Sequence, residues 1–87
     1  MKILIAEDEE LLLRAIEFKL LKEGFEVIKA HNGLEAEEFI DKHKPDLLVT
    51  DIMMPHKNGL ELTKTAKEKG TPVIVLSTQN QEDIVLK

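Results

Sequence analysis

The 87-residue sequence predicts an α/β fold, a doubly wound parallel sheet with helices on both faces. Two observations predict it. Short apolar runs of strand length alternate with longer amphipathic stretches, in the order βαβαβαβ followed by the start of another helix. Polar or acidic residues also follow the first, third and fourth runs, and in a parallel sheet those strand ends share one edge. Right-handed crossovers join such strands. The length allows one domain.

The first run, Lys2 to Ala6, is continuously apolar, as a strand covered on both faces is. It ends in four acids, Glu7 to Glu10. A helix is expected from about Glu9 to Lys22, with Asp8 as its N-cap and acids in the first turn suiting the helix dipole. Leu12, Ala15, Ile16 and Leu20 form one apolar stripe, and Leu11, Phe18 and Leu21 form a second, so this helix is apolar on more than one side. Gly24 stands where a C-terminal glycine belongs.

Phe25 to Lys29 alternates, as an edge strand does. His31-Asn32-Gly33 is a turn. Leu34 to Lys42 is a short amphipathic helix carrying Leu34, Ala36, Phe39 and Ile40. Pro45 closes that connection, and Asp46 to Thr50 is the third strand, delivering Asp51 to its end. Pro55 to Asn58 is loop. Gly59 to Lys69 is the next helix, with Leu60, Leu62 and Ala66 facing inward and Gly70 closing it. Val73 to Leu76 is a fourth strand, Ser77 to Asn80 a polar loop, and Gln81 to Lys87 the opening of a helix.

Composition excludes several function classes. Cysteine is absent, so disulfide and thiolate chemistry are excluded. The net charge of −5 argues against a general nucleic-acid surface, which needs clustered Lys and Arg. The opening apolar run is too short for a signal peptide, and no stretch approaches a membrane span, so a cytoplasmic location is expected. His31, His43 and His56 share no metal-ligand spacing and read as surface loop residues.

The predicted topology gathers Glu7, Asp8, Asp51, Ser77 and Thr78 at one edge. Three carboxylates there repel one another, and a hard divalent cation such as Mg²⁺ resolves the repulsion. Aspartate is also a nucleophile in phosphoryl transfer. The plainer alternatives are that Asp51 is a polar strand cap and that Glu7 to Glu10 is a solvated first turn with an N-cap. A phosphatase-type hydrolase would place a second aspartate two residues after the nucleophile, where this chain has Met53. No Gly-rich phosphate loop is present.

The ordered motifs Lys2-Ile-Leu-Ile-Ala-Glu7-Asp8-Glu9, Pro45-Asp46-Leu47-Leu48-Val49-Thr50-Asp51-Ile52-Met53-Met54-Pro55, Asn58-Gly59-Leu60-Glu61-Leu62 and Thr71-Pro72-Val73-Ile74-Val75-Leu76-Ser77-Thr78 together resemble the receiver domain of two-component response regulators. The resemblance runs from residue 1 to 87. It implies a flavodoxin-like sheet of strand order 2-1-3-4 and a signalling domain rather than an enzyme. By it, Asp51 matches the phospho-accepting aspartate, and Glu7 and Asp8 match the acidic pair that binds Mg²⁺. Met53 matches the position whose backbone carbonyl is a metal ligand, and Ser77 matches the hydroxyl that moves toward the phosphoryl group. A histidine kinase is the implied phosphodonor. Glu7 stands where the family often has aspartate.

Receivers of this family continue through a full fourth helix, a fifth strand bearing a phosphoryl-contacting lysine, and a fifth helix. The 87 residues contain none of these, and Lys87 does not match that lysine. The chain therefore reads as a truncated receiver with impaired phosphotransfer, or as a self-associating structural fragment. Either way, homodimers or larger assemblies are expected through an open Val73–Leu76 edge and the Leu11/Phe18/Leu21 helix face.

Overall fold

The computed structural model describes residues 1–52, 58–76 and the strand 84–86. The element order is β1 (Lys2–Ala6), α1 (Glu10–Lys22), β2 (Glu26–Ala30), α2 (Gly33–His43), β3 (Leu47–Asp51), α3 (Gly59–Glu68), β4 (Val73–Leu76) and β5 (Ile84–Leu86). The sheet runs β2-β1-β3-β4-β5. Its first four strands are parallel, in the order 2-1-3-4 that the family resemblance implied.

β1 lies between β2 and β3, which explains its unbroken apolar sequence. Ile3, Leu4, Ile5 and Ala6 are all buried. Alternate side chains feed two cores, as the period of a strand requires. Leu4, Ala6, Leu48, Val73 and Val75 pack with Ala36, Ile40, Leu62 and Ala66 under α2 and α3. Ile3, Ile5 and Val49 pack with Leu13 on the α1 side. Main-chain bonds extend the ladders past the strand ends, with Glu7 N–H donating to Ala30 O at 3.0 Å and Asp46 N–H to Lys2 O at 2.7 Å.

Residues 84–86 depart from the expected helix. They form β5, which pairs antiparallel with β4, Leu76 opposite Ile84 and Ile74 opposite Leu86. A short apolar run carries no helical period, and the open main-chain groups of β4 supply partners for a strand. The Val73–Leu76 edge expected to be free is thus occupied by this chain itself.

Smaller corrections concern which residues face inward. Leu13, fully buried, anchors α1, whereas Ala15 is exposed. Leu34 and Leu60 sit in the first turns of α2 and α3 and are exposed, while Leu62 and Ala66 face the core as expected. Glu9, not Asp8, occupies the N-cap of α1, without a side-chain cap bond. His43 closes α2 rather than standing in a loop, and its ring meets Phe39 edge-on at 5.3 Å. No helix among the described residues is long and apolar enough to cross a membrane.

Candidate metal and phosphoryl site

β1 and β3 are adjacent and in register, Ala6 opposite Thr50. The next residues, Glu7 and Asp51, therefore leave neighbouring strands side by side. Asp8 follows Glu7 into the turn before α1. One carboxylate oxygen from each of Glu7, Asp8 and Asp51 lies within 4.8 Å of the others. The topology expected from sequence thus brings these three acids together. Ser77 and Met53, the other expected site residues, lie outside the described residues, as do Thr78 and His56.

The three acids differ sharply in environment. Glu7 is 1% exposed and Asp51 3%, whereas Asp8 is exposed. Glu7 Oε2 accepts the Glu9 N–H at 3.0 Å, which bends the chain from β1 toward α1. Its other oxygen, Oε1, is buried and has no hydrogen-bond partner among the described residues. A buried carboxylate oxygen left unpaired is costly unless a proton or a cation reaches it. Burial accordingly pushes the Glu7 carboxyl up to about 7, opposed by the Glu9 N–H and reinforced by the Asp51 charge and the adjoining Asp8 carboxylate. In the protonated form, Glu7 can share its proton with Asp8. With no proton there, two buried carboxylates and one exposed one converge, and oxygens alone make the donor set. Such a set fits a small hard dication, which takes few carboxylates and keeps water on its remaining positions.

The far side of the site is set by a close approach that sequence reasoning missed. Gly59 opens α3, and its N–H donates to Ile52 O at 2.9 Å. The Asp51 carbonyl lies where a Cβ on Gly59 would stand. Asn58 holds the helix start by a capping box, its Oδ1 accepting Glu61 N–H at 2.9 Å and its own N–H donating to Glu61 at 3.4 Å. The Asn-Gly pair followed by Glu three residues on is the signal that could have announced this. Thr50 Oγ1 donates to Asp51 O at 3.0 Å.

His31 follows β2 at the same edge. Its Nε2 is 3.4 Å from Glu10 and its Nδ1 is 3.2 Å from Glu35, linking the first turns of α1 and α2. All three side chains are at least partly exposed, so the link contributes little stability. A separate cavity of about 250 Å³ opens at the opposite end, near Lys44, Lys69 and Thr71, remote from the acids.

Residues 3–87 match the response regulator receiver domain family. The chain is 37% identical over 86 residues to the transcriptional regulatory protein PdtaR of Mycobacterium tuberculosis, covering 97% of this chain and 42% of that protein. It is 34% identical over 83 residues to the alkaline phosphatase synthesis transcriptional regulatory protein PhoP of Bacillus subtilis, covering 93% of this chain and 35% of PhoP. The chain thus spans less than half the length of these curated relatives. Among solved structures, it superimposes on the receiver domain of the Francisella response regulator 1452 with a TM-score of 0.83 at 33% identity, over 93% of this chain and 69% of that one. With the parallel 2-1-3-4 sheet, the acids at its carboxyl edge and a match across nearly its whole length, this chain belongs to the receiver domains of two-component response regulators.

Proposed function

We propose that this chain accepts a phosphoryl group on Asp51 from a phosphohistidine of a partner histidine kinase. The observation that carries the reading is the convergence of Asp51 with Glu7 and Asp8 within 4.8 Å at the carboxyl edge of the sheet. A carboxylate oxygen of Asp51 attacks phosphorus, and the phosphorus–nitrogen bond of the donor breaks. The electron pair leaves with the imidazole nitrogen, which takes a proton from solvent. The product is an acyl phosphate on Asp51 and free histidine on the donor.

Glu7, Asp8 and Asp51 would hold Mg²⁺, with the Met53 carbonyl as a fourth protein ligand by family resemblance. When bound, the ion offsets the negative charge gathered between carboxylates and phosphoryl group. The chain's own part is to hold the Asp51 carboxylate at a fixed strand end, shielded from bulk water. Ser77 would hydrogen-bond a phosphoryl oxygen. In the 87 residues taken alone transfer is proposed to be slow, because none of their lysines matches the family's phosphoryl-contacting one.

The test is incubation with a small-molecule phosphodonor and Mg²⁺, followed by intact mass. One phosphoryl adduct is expected, labile to hydroxylamine and absent from Asp51→Asn. An adduct that persists in Asp51→Asn would place the acceptor elsewhere and end this reading.

A further inference from the structure

We propose that Thr50 is a positioning residue for the Asp51 acceptor. Its hydroxyl holds the Asp51 carbonyl on the α3 side of the sheet and so fixes the carboxylate on the α1 side. The inference rests on the phospho-acceptor reading of Asp51. Strand alternation sorts the groups between the two faces. Leu48 packs under α2 and α3, and Val49 packs on the α1 side. Thr50 therefore faces α3, and the Asp51 side chain faces the other way. Glu7 has the same parity on β1, one residue beyond Ala6 of the α2 and α3 core. A carboxylate oxygen of Glu7 and one of Asp51 accordingly meet within 4.8 Å.

The main chain at Asp51 needs such a hold. Asp51 is the last residue of β3, and its pairing with Leu76 is the last of the β3–β4 ladder. Rotation about its Cα–C bond sets the angle between carbonyl and side chain, and past the last pair the ladder does not fix that rotation. Thr50 Oγ1, fully buried, donates to Asp51 O at 3.0 Å. Gly59 of α3 closes on the same carbonyl, which fills the place of its absent Cβ. Its N–H donates to Ile52 O at 2.9 Å, so the next peptide is held as well. Gripped between a hydroxyl and a helix start, the carbonyl cannot swing toward the α1 side. The carboxylate then keeps one orientation beside Glu7 and Asp8, as a near-attack geometry requires. The carbonyl oxygen, the negative end of its dipole, also stays away from incoming phosphoryl oxygens. An apolar isostere at position 50 would fill the same space and leave the carbonyl without this donor.

The experiment compares the wild-type 87-residue chain with Thr50→Val and Thr50→Ser. One arm reads the rate of adduct formation with a small-molecule phosphodonor and Mg²⁺. The other reads the Mg²⁺ dissociation constant by calorimetry, with no phosphodonor present. Packing and hydrogen bonding rank the variants oppositely. Valine keeps the volume without the donor, and serine keeps the donor while losing a buried methyl. Thr50→Val is expected to be about tenfold slower and to bind Mg²⁺ several-fold more weakly. Thr50→Ser should stay within about twofold of wild type in both, even if its urea midpoint falls. A wild-type rate or a wild-type Mg²⁺ affinity in Thr50→Val would overturn the proposal while leaving Asp51 as the acceptor. So would a Thr50→Ser as impaired as Thr50→Val. A wild type that takes no phosphoryl group would instead end the acceptor reading, and the Mg²⁺ arm would still decide whether Thr50 holds the carboxylate. Should Thr50→Val not fold, NMR of the wild type supplies the check. A Thr50 hydroxyl proton slow to exchange with water is expected, and one that exchanges freely would overturn the proposal.

Discussion

The carbonyl oxygen of Asp51 lies 2.0 Å from the point where a Cβ on Gly59 would stand. The end of β3 and the start of α3 thus touch through backbone, with no flexible side chain able to yield. Gly59→Ala must push the two elements apart. The expected cost is about 3 kcal/mol or more, measured by urea denaturation. A loss under about 1 kcal/mol would show that the contact relaxes freely.

Glu7 makes the metal-free protein sensitive to pH. Its folded-state value of about 7 lies above the ordinary 4.5. The folded state therefore holds a proton that the unfolded chain releases between those values. The contribution is fully present below about pH 4.5 and is lost as pH rises through about 7. Its size is on the order of 3 kcal/mol. Denaturation of the wild type and Glu7→Gln without divalent cations should show the difference between them drifting against the wild type over that range. A pH-independent difference would contradict the burial of Glu7.

Divalent cation should act in the opposite direction. An ion displaces the Glu7 proton, so its stabilising effect grows from acid to neutral pH. At ten times its dissociation constant, Mg²⁺ is expected to add about 1.4 kcal/mol. Asp8→Asn and Asp51→Asn should each weaken the increment. Thermal melts with Mg²⁺ or chelator supply the readout, and equal melts in both would argue against a metal site.

Lys44 caps the C-terminus of α2 with φ at 48°, in the left-handed region, where its N–H donates to Ile40 O. Pro45 behind it disfavours the α conformation for its predecessor. A side chain in this region is strained, and glycine is not. Lys44→Gly should therefore stabilise by about 0.5–1 kcal/mol despite the freedom that glycine adds to the unfolded chain. Lys44→Ala, which keeps the Cβ, should gain nothing in the same chemical denaturation series.

Much of the site was legible because it depends on strand order. The apolar runs ending at Ala6 and before Asp51 are unambiguous, and parallel pairing of neighbouring strands puts Glu7 beside Asp51. Gly59 was harder to read, since its importance comes from a carbonyl eight residues away that meets it only after folding. Helix faces were read less well than helix positions. Ala15 and Leu60 fit the apolar period yet point outward, because a helix of four apolar stripe positions can be rotated to bury neighbouring ones instead. Residues 84–86 read as helix because nothing local distinguishes Ile-Val-Leu in one state from the other.

The sequence by itself determined the alternation of strands and helices, the parallel sheet and the gathering of acids at one edge. Periodicity and strand order are local and combinatorial properties, and both survive without coordinates. Tertiary structure alone decided that Glu7 is buried and Asp8 exposed, although the two are adjacent acids. It also decided that Ile84–Leu86 joins the sheet and that α1 leaves Leu11 and Phe18 uncovered. Those outcomes depend on which distant backbone passes each residue, and burial, unpaired oxygens and open edges exist only once the layers have packed.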